Sequence, residues 1–236
     1  MLRIPPNVAA LIGFAAILSV PTARVQAKTR PEQFPLAKGS YWVYEGEGKR
    51  YEAGQGPKVL TEKITWRMEV VDRIERKGIV AAVVRGYPDG GPEELQVLLV
   101  IGGREFYRLA AEESILKRLR DSNDALVDLV REDQIELSLP LVPGKRFCEA
   151  SEITRPDGYY CWVVEKKTKE KLTNVRGIAC DNRDVYQIAF RTLPDHIVVK
   201  FTPEIGIVSY QYVHHGTVIQ DDMKLVEFHD AAGPPH

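Results

Sequence analysis

Residues 34–44 read FPLAKGSYWVY (Phe34 to Tyr44), and residues 139–148 read LPLVPGKRFC (Leu139 to Cys148). Both run apolar residue, Pro-Leu, two residues, Gly, two residues, aromatic. Pro fixes φ and removes a backbone donor, which suits the position just before a strand rather than one inside it. The Gly lets the backbone turn with φ > 0. Trp42 or Phe147 then enters the core from the new strand. The repeated phrase is a device for starting strands. None of its residues takes a proton, attacks a carbonyl or holds a metal.

The surrounding pattern agrees. Thr61 to Arg73 alternates, with Ile64, Trp66, Met68 and Val70 on one face and Lys63, Thr65, Arg67 and Glu69 on the other. Before it come Ser40 to Glu45, a strand, and Tyr51 to Pro57, a loop. After it the sequence predicts a Lys77-Gly78 turn, a strand at Ile79 to Gly86, a turn at Tyr87 to Pro92, and a Glu94 to Leu109 hairpin through Gly102-Gly103. Further strands are expected at Arg146 to Ile153, Tyr159 to Glu165, Ile178 to Cys180, Val185 to Arg191, His196 to Phe201, Val208 to His214 and Met223 to His229. Glu112 to Arg120 carries a narrow apolar stripe of Ile115, Leu116 and Leu119 and predicts a helix, with a second short helix or a kinked continuation over Ala125 to Val130. The expected fold is mainly β (α+β): a curved antiparallel sheet or partly open β-barrel with one short helical insertion at about residues 110–132.

The first 27 residues have the form of a secretory signal: Arg3, an uncharged run from Val8 to Val20, and Val25-Gln26-Ala27, with cleavage expected after Ala27. The apolar run is short for a bilayer span, which needs about 20 residues. A periplasmic or secreted location follows, with no transmembrane span after cleavage. One antiparallel β-rich domain is expected over residues 28–230, with a disordered tail over residues 231–236. Without Arg3 and Arg24 the chain has 30 basic against 33 acidic residues, a balance that gives no reason to expect nucleic acid. The basic run Lys166 to Lys171 predicts a solvated hairpin tip. Three cysteines, Cys148, Cys161 and Cys180, leave one thiol over. Cys148–Cys161 is the favoured disulfide, across a turn at Arg155 to Gly158 and with an offset register or a bulge, with Cys161–Cys180 second.

Phe34-Pro35-Leu36, Gly39, Trp42 and Tyr44 resemble the FPL-x-x-G-x-x-W-x-Y opening of a family of exported bacterial proteins and lipoproteins with no established activity. Leu139 to Phe147 matches its midway Pro-Leu-x-x-Gly phrase. Thr202 to Val208 (TPEIGIV) is similar to its Pro-Gly-x-Gly-hydrophobic-Val segment, with Glu204 where the first Gly is usual. Tyr160 to Glu165 also resembles it. The resemblance implies export and a β fold, not a chemistry.

Signatures of catalysis are missing: no GxSxG, HExxH, GxGxxG or GxxxxGK[ST] occurs, so no catalytic residue, metal ligand or cofactor is assigned. His214 or His215 with Asp221, Asp222 and His229 is the one constellation that can be drawn, and a solvated hairpin tip is its plainer reading. A non-enzymatic binding module for a hydrophobic ligand, a lipid or acyl chain, is the leading expectation. Its liners would be Trp42, Trp66, Met68, Leu116, Leu119 and Phe190, with Leu98, Val100, Phe106 and Ile115 beside them and the helix as a lid. An envelope scaffold with a protein partner ranks second and a hydrolase last.

Overall fold

The computed structural model describes residues 34–51, 58–130, 135–148, 159–215 and 219–233, and among these residues it forms twelve strands and one short α-helix. These belong to the compact unit Pro31–His236, and the expected export signal lies outside the described residues. The first half of the chain forms β1 (Tyr41–Tyr51), β2 (Val59–Arg76), β3 (Ile79–Arg85), β4 (Leu95–Ile101), β5 (Glu105–Ala110), helix α1 (Glu113–Arg120), a 3-10 turn (Val127–Leu129) and β6 (Ile135–Ser138). The second half forms β7 (Arg146–Cys148), β8 (Cys161–Lys171), β9 (Asn182–Arg191), β10 (Asp195–Thr202), β11 (Gly206–His214) and β12 (Ile219–His229).

All pair in one antiparallel sheet of order β6-β5-β4-β3-β2-β1-β12-β11-β10-β9-β8-β7. Each half is an up-and-down meander, and pairing of the first strand with the last joins them into a nearly closed barrel. The short strands β6 and β7 stand at its two ends. Lys145, the last residue of the loop between them, donates from Nζ to the carbonyls of Ser138 at 2.6 Å and Pro140 at 3.2 Å.

The repeated phrase starts each half. Gly39 (φ 92°) precedes β1, and Gly144 (φ 87°) precedes β7. Gly39 N–H donates to the Val70 carbonyl on β2 at 2.8 Å, and Gly144 N–H to the Val164 carbonyl on β8 at 2.7 Å. In return, Val70 N–H reaches Ser40 and Val164 N–H reaches Lys145, each at 2.9 Å. The ladder to the next strand shifts register immediately after each valine, between Val70 and Asp72 and between Val164 and Lys166. Leu36, Trp42, Leu141 and Phe147 are buried in the same core cluster.

Inside the barrel, Trp42 and Tyr44 are fully enclosed. Trp42 Nε1 donates to the Ile205 carbonyl at 2.6 Å, and Tyr44 Oη donates to the Ile207 carbonyl at 3.0 Å. The first strand thereby ties itself across the interior to the β10–β11 turn and the start of β11. Phe34 meets Trp42 and Phe201 edge-on, with centroids 5.6 and 5.7 Å apart. Buried apolar side chains of this size each contribute about 1.5–3 kcal/mol.

Helix α1 lies over the opposite face of the sheet. Leu119 joins Ile79, Ala81, Val83, Val97, Leu99 and Leu109 in a second cluster, separate from the barrel interior. The C-terminal end of α1 is fixed by Arg76, whose guanidinium donates to the carbonyls of Leu119 and Asp121, and by Arg118, which binds Asp124 and Asp128.

Several local expectations are corrected. Residues Ile178 to Cys180 form no strand; they lie in the connection between β8 and β9. That connection places Arg176 beside Glu227, where Arg176 N–H reaches the Val226 carbonyl and Phe228 N–H the Arg176 carbonyl, both at 2.9 Å. Lys166 to Lys171 is strand rather than hairpin tip: β8 continues through it because Lys167 and Lys169 face Asp184, and Glu170 faces Lys200. Strand β1 runs on through Gly46 and Gly48 to Tyr51, since a Cβ at Gly46 would come within 1.8 Å of the Asp222 carbonyl oxygen. Strand β6 has no counterpart in the expected elements. Ala231 is held rather than loose, donating from its N–H to Ser40 Oγ at 3.1 Å. Cys148 and Cys161 are direct cross-strand partners, with no offset. The Arg155 to Gly158 turn lies outside the described residues.

Candidate functional site

At one end of the barrel the inward-facing residues change from apolar to polar, and a cleft of about 570 Å³ opens there. Its walls come from many elements. Trp66 on β2 and Phe190 on β9 supply half-buried aromatic faces, with Ile197 on β10 and Met223 on β12 beneath them. The segment from Pro88 to Pro92, between β3 and β4, closes one side. Trp66 is held in place by donation from Nε1 to the Gly86 carbonyl at 2.7 Å.

Three carboxylates face this space. Asp195, at the start of β10, accepts from Tyr212 Oη at 2.6 Å and lies 2.7 Å from His214 Nδ1. These bonds, the tyrosine's first, hold the Asp195 carboxyl below its ordinary value. Burial and the same carboxylate push the Tyr212 hydroxyl up to about 12. Asp221 on β12 accepts from Arg50 Nη2 at 3.2 Å, while Arg50 Nε is shared with Glu62 at 3.2 Å. Burial raises the Asp221 carboxyl despite Arg50. Asp89 pairs with Arg108 and accepts from Tyr210 Oη at 3.3 Å.

Arg108 continues inward from Asp89. Its Nε donates to Glu136 at 3.1 Å and its Nη1 to Gln96 at 3.3 Å, while Tyr87 Oη donates to Glu136 at 3.3 Å. Burial raises the Glu136 carboxyl, with Arg108 opposing. Burial also works against the Arg108 charge, but Glu136 and Asp89 outweigh it and raise its pKa. Asp89 and Tyr210 bring this network to the cleft wall, while Tyr87 and Glu136 face the core. Below the cleft, Phe34, Leu98, Trp162 and Phe201 enclose a cavity of only about 20 Å³. That is room for a water and far too little for an acyl chain.

The residues expected to line a hydrophobic site therefore separate. Trp66 and Phe190 share the cleft wall. Trp42 and Met68 are register partners packed into the filled core, 0 % and 1 % exposed. Leu116 and Leu119 sit on the other face of the sheet, so α1 does not reach over the cleft. The drawn histidine–aspartate constellation separates as well. His229 lies against Tyr41, with centroids 5.2 Å apart, while Asp222 accepts from Gln211. His215 Nε2 lies 3.0 Å from His196 Nδ1. No group of three or more His, Cys, Asp or Glu among the described residues is placed to hold a metal ion.

Asp89, Asp195, Tyr210, Tyr212 and Arg108 were not among the expected site residues. No local motif marks them, because they come from four separate places in the chain: the β3–β4 connection, β5, the start of β10, and β11. The one readable signal was the alternation of Tyr210, Tyr212 and His214, which puts three polar-tipped rings on one face of β11.

No protein-family model matches the chain, and no curated protein matches it. Among solved structures it is similar to a Bacteroides fragilis protein described as exported and as having a YmcC-like fold. Identity is 12%, with 85% of this chain and 100% of that one covered and a TM-score of 0.40. It is also similar to a protein from Parabacteroides distasonis described as a lipoprotein, at 14% identity, with 84% and 99% covered and a TM-score of 0.35. No described helix is long and apolar enough to cross a membrane.

Proposed function

We propose that the protein is an exported, non-enzymatic binding module that holds a hydrophobic ligand in the cleft at the mouth of its barrel. One observation carries this reading. The half-buried faces of Trp66 and Phe190 line an open cleft of about 570 Å³ above a core that is already filled. Mixed walls of this kind, largely apolar with a few convergent polar groups, suit a small molecule. A lipid or acyl chain would be held by the part that enters the cleft, not threaded through the barrel. Export rests on the signal-like residues 1–27 and gives a periplasmic or secreted location. It also permits a Cys148–Cys161 disulfide, which direct cross-strand opposition favours, since such Cα separations lie within disulfide range.

The test has two arms. Native mass spectrometry of protein purified from its own envelope, followed by organic extraction, is expected to find a co-purifying hydrophobe. Titration with the neutral fluorophore N-phenyl-1-naphthylamine is expected to give saturable enhancement that Trp66→Ala and Phe190→Ala each weaken by about tenfold. Enhancement unchanged in both folded variants would overturn the cleft as the site.

The second reading, an envelope scaffold, is favoured by one patch. Tyr51, Val59 and Leu60 are 45%, 43% and 43% exposed at the end of the β1–β2 hairpin. Chemical cross-linking in intact cells, repeated with Leu60→Asp, distinguishes it: loss of a specific cross-linked partner would support the scaffold.

A further inference from the structure

We infer that the ligand of this cleft carries a cationic group, an ammonium or guanidinium head beside its hydrophobic body. This rests on the proposed binding reading and adds its chemical class. The charged groups facing the space are unbalanced. Asp89, Asp195 and Asp221 line it directly, and among the described residues Arg50 is the one basic residue in its wall. Arg50 is divided between Asp221 and Glu62. Arg108 is divided between Asp89 and Glu136. Asp195 is held by a neutral hydroxyl and by His214, not by a guanidinium or ammonium. Counting Glu62, Glu136, Arg50 and Arg108 with the lining carboxylates, acidic groups outnumber permanent cations.

The walls work in the same direction. Trp66, Phe190, Tyr210 and Tyr212 bring π-systems to the site, and the negative face of an aromatic ring attracts an organic cation. Low-dielectric walls concentrate the field of the carboxylates on whatever enters between them. An anionic head would meet the reverse: carboxylates on three sides and a guanidinium already engaged twice.

The experiment compares ligands that differ in charge alone. Benzyltrimethylammonium, its uncharged carbon isostere neopentylbenzene and the anion phenylmethanesulfonate are each titrated against the protein loaded with N-phenyl-1-naphthylamine. The cation is expected to displace the probe about tenfold more tightly than the isostere, with the anion weakest. Asp221→Asn is expected to remove most of the difference between the cation and the isostere. Should this variant fail to fold, Asp195→Asn and the salt dependence on the native protein replace it. Added NaCl is expected to weaken the cation and not the isostere. Displacement by all three with equal affinity, or best by the anion, would overturn the charge preference and leave the binding reading standing. A protein that takes up neither the probe nor any of the three ligands would overturn both.

Discussion

Gly39 and Gly144 occupy equivalent places in the two halves of the barrel. Their φ values are 92° and 87°, and each donates its N–H to a buried valine, Val70 or Val164, after which the ladder shifts register. The phrase that starts each half thus does more than begin a strand. It anchors the incoming chain to the second strand of its own meander, at the point where that strand bends. A bulge there increases the local twist, which a sheet needs in order to close.

Gly39→Ala and Gly144→Ala are accordingly expected to cost about 1–3 kcal/mol each, by backbone strain rather than by crowding. A Cβ at Gly144 meets nothing within 4 Å, and one at Gly39 meets Ala231 at an ordinary 3.5 Å. Urea denaturation should show a lower midpoint with an unchanged slope for both variants. A neutral result at either site would break the equivalence.

Glu204 sits at φ 71° in the turn between β10 and β11, in the left-handed region that glycine prefers. Its side chain is exposed, with Arg183 3.9 Å away. Glu204→Gly is expected to stabilise the protein by about 0.5–1 kcal/mol, since relief of strain exceeds the extra entropy of the unfolded glycine. Thermal denaturation at two salt concentrations checks this and separates strain from loss of the weak ion pair.

The lowered Asp195 carboxyl makes a signed pH prediction. Its ionised form is favoured in the folded state, so its contribution is present above the ordinary value of 3.8 and is lost as pH falls through the lower folded value. Asp195→Asn exchanges charge-assisted bonds for neutral ones, at a cost of about 1 kcal/mol. The deficit against the native protein should hold steady from neutral pH down to about 5 and shrink below 3.8. Tyr212→Phe should raise the Asp195 carboxyl, as read from its NMR titration.

The cysteines give a covalent prediction. Alkylation without reductant is expected to label Cys180, which is exposed and free, and to leave Cys148 and Cys161 unmodified, with an intact mass lower by two hydrogens. Labelling of all three would rule out the pairing.

Much of the fold was legible because the signals were local. Alternation fixed the Thr61 to Arg73 face, Lys77-Gly78 and Gly102-Gly103 marked turns, and the Ile115–Leu119 stripe marked the helix. What the sequence concealed depends on partners far along the chain. Gly46 and Gly48 look like breakers, yet they allow the close approach of β12. Leu116 and Leu119 were read with Trp42 because both sets are apolar. Periodicity gives the buried face of a helix but not which side of a sheet it covers. The cleft was hidden for the same reason, since Asp89 lies more than a hundred residues before both Asp195 and Asp221, and the three line one space only in the folded sheet.

The pairing of β1 with β12, which sets Tyr41 opposite His229, also fixes an order of events. The chain emerges from its N-terminal end, so β1 must wait for nearly the whole remaining sequence before its second neighbour exists. During that interval the six strands of the first half can assemble by short hairpins, but they present an unsatisfied row of backbone donors and acceptors along β1. Such a row is a ready template for pairing with another chain, so the arrival of the last strand both completes the barrel and removes that hazard.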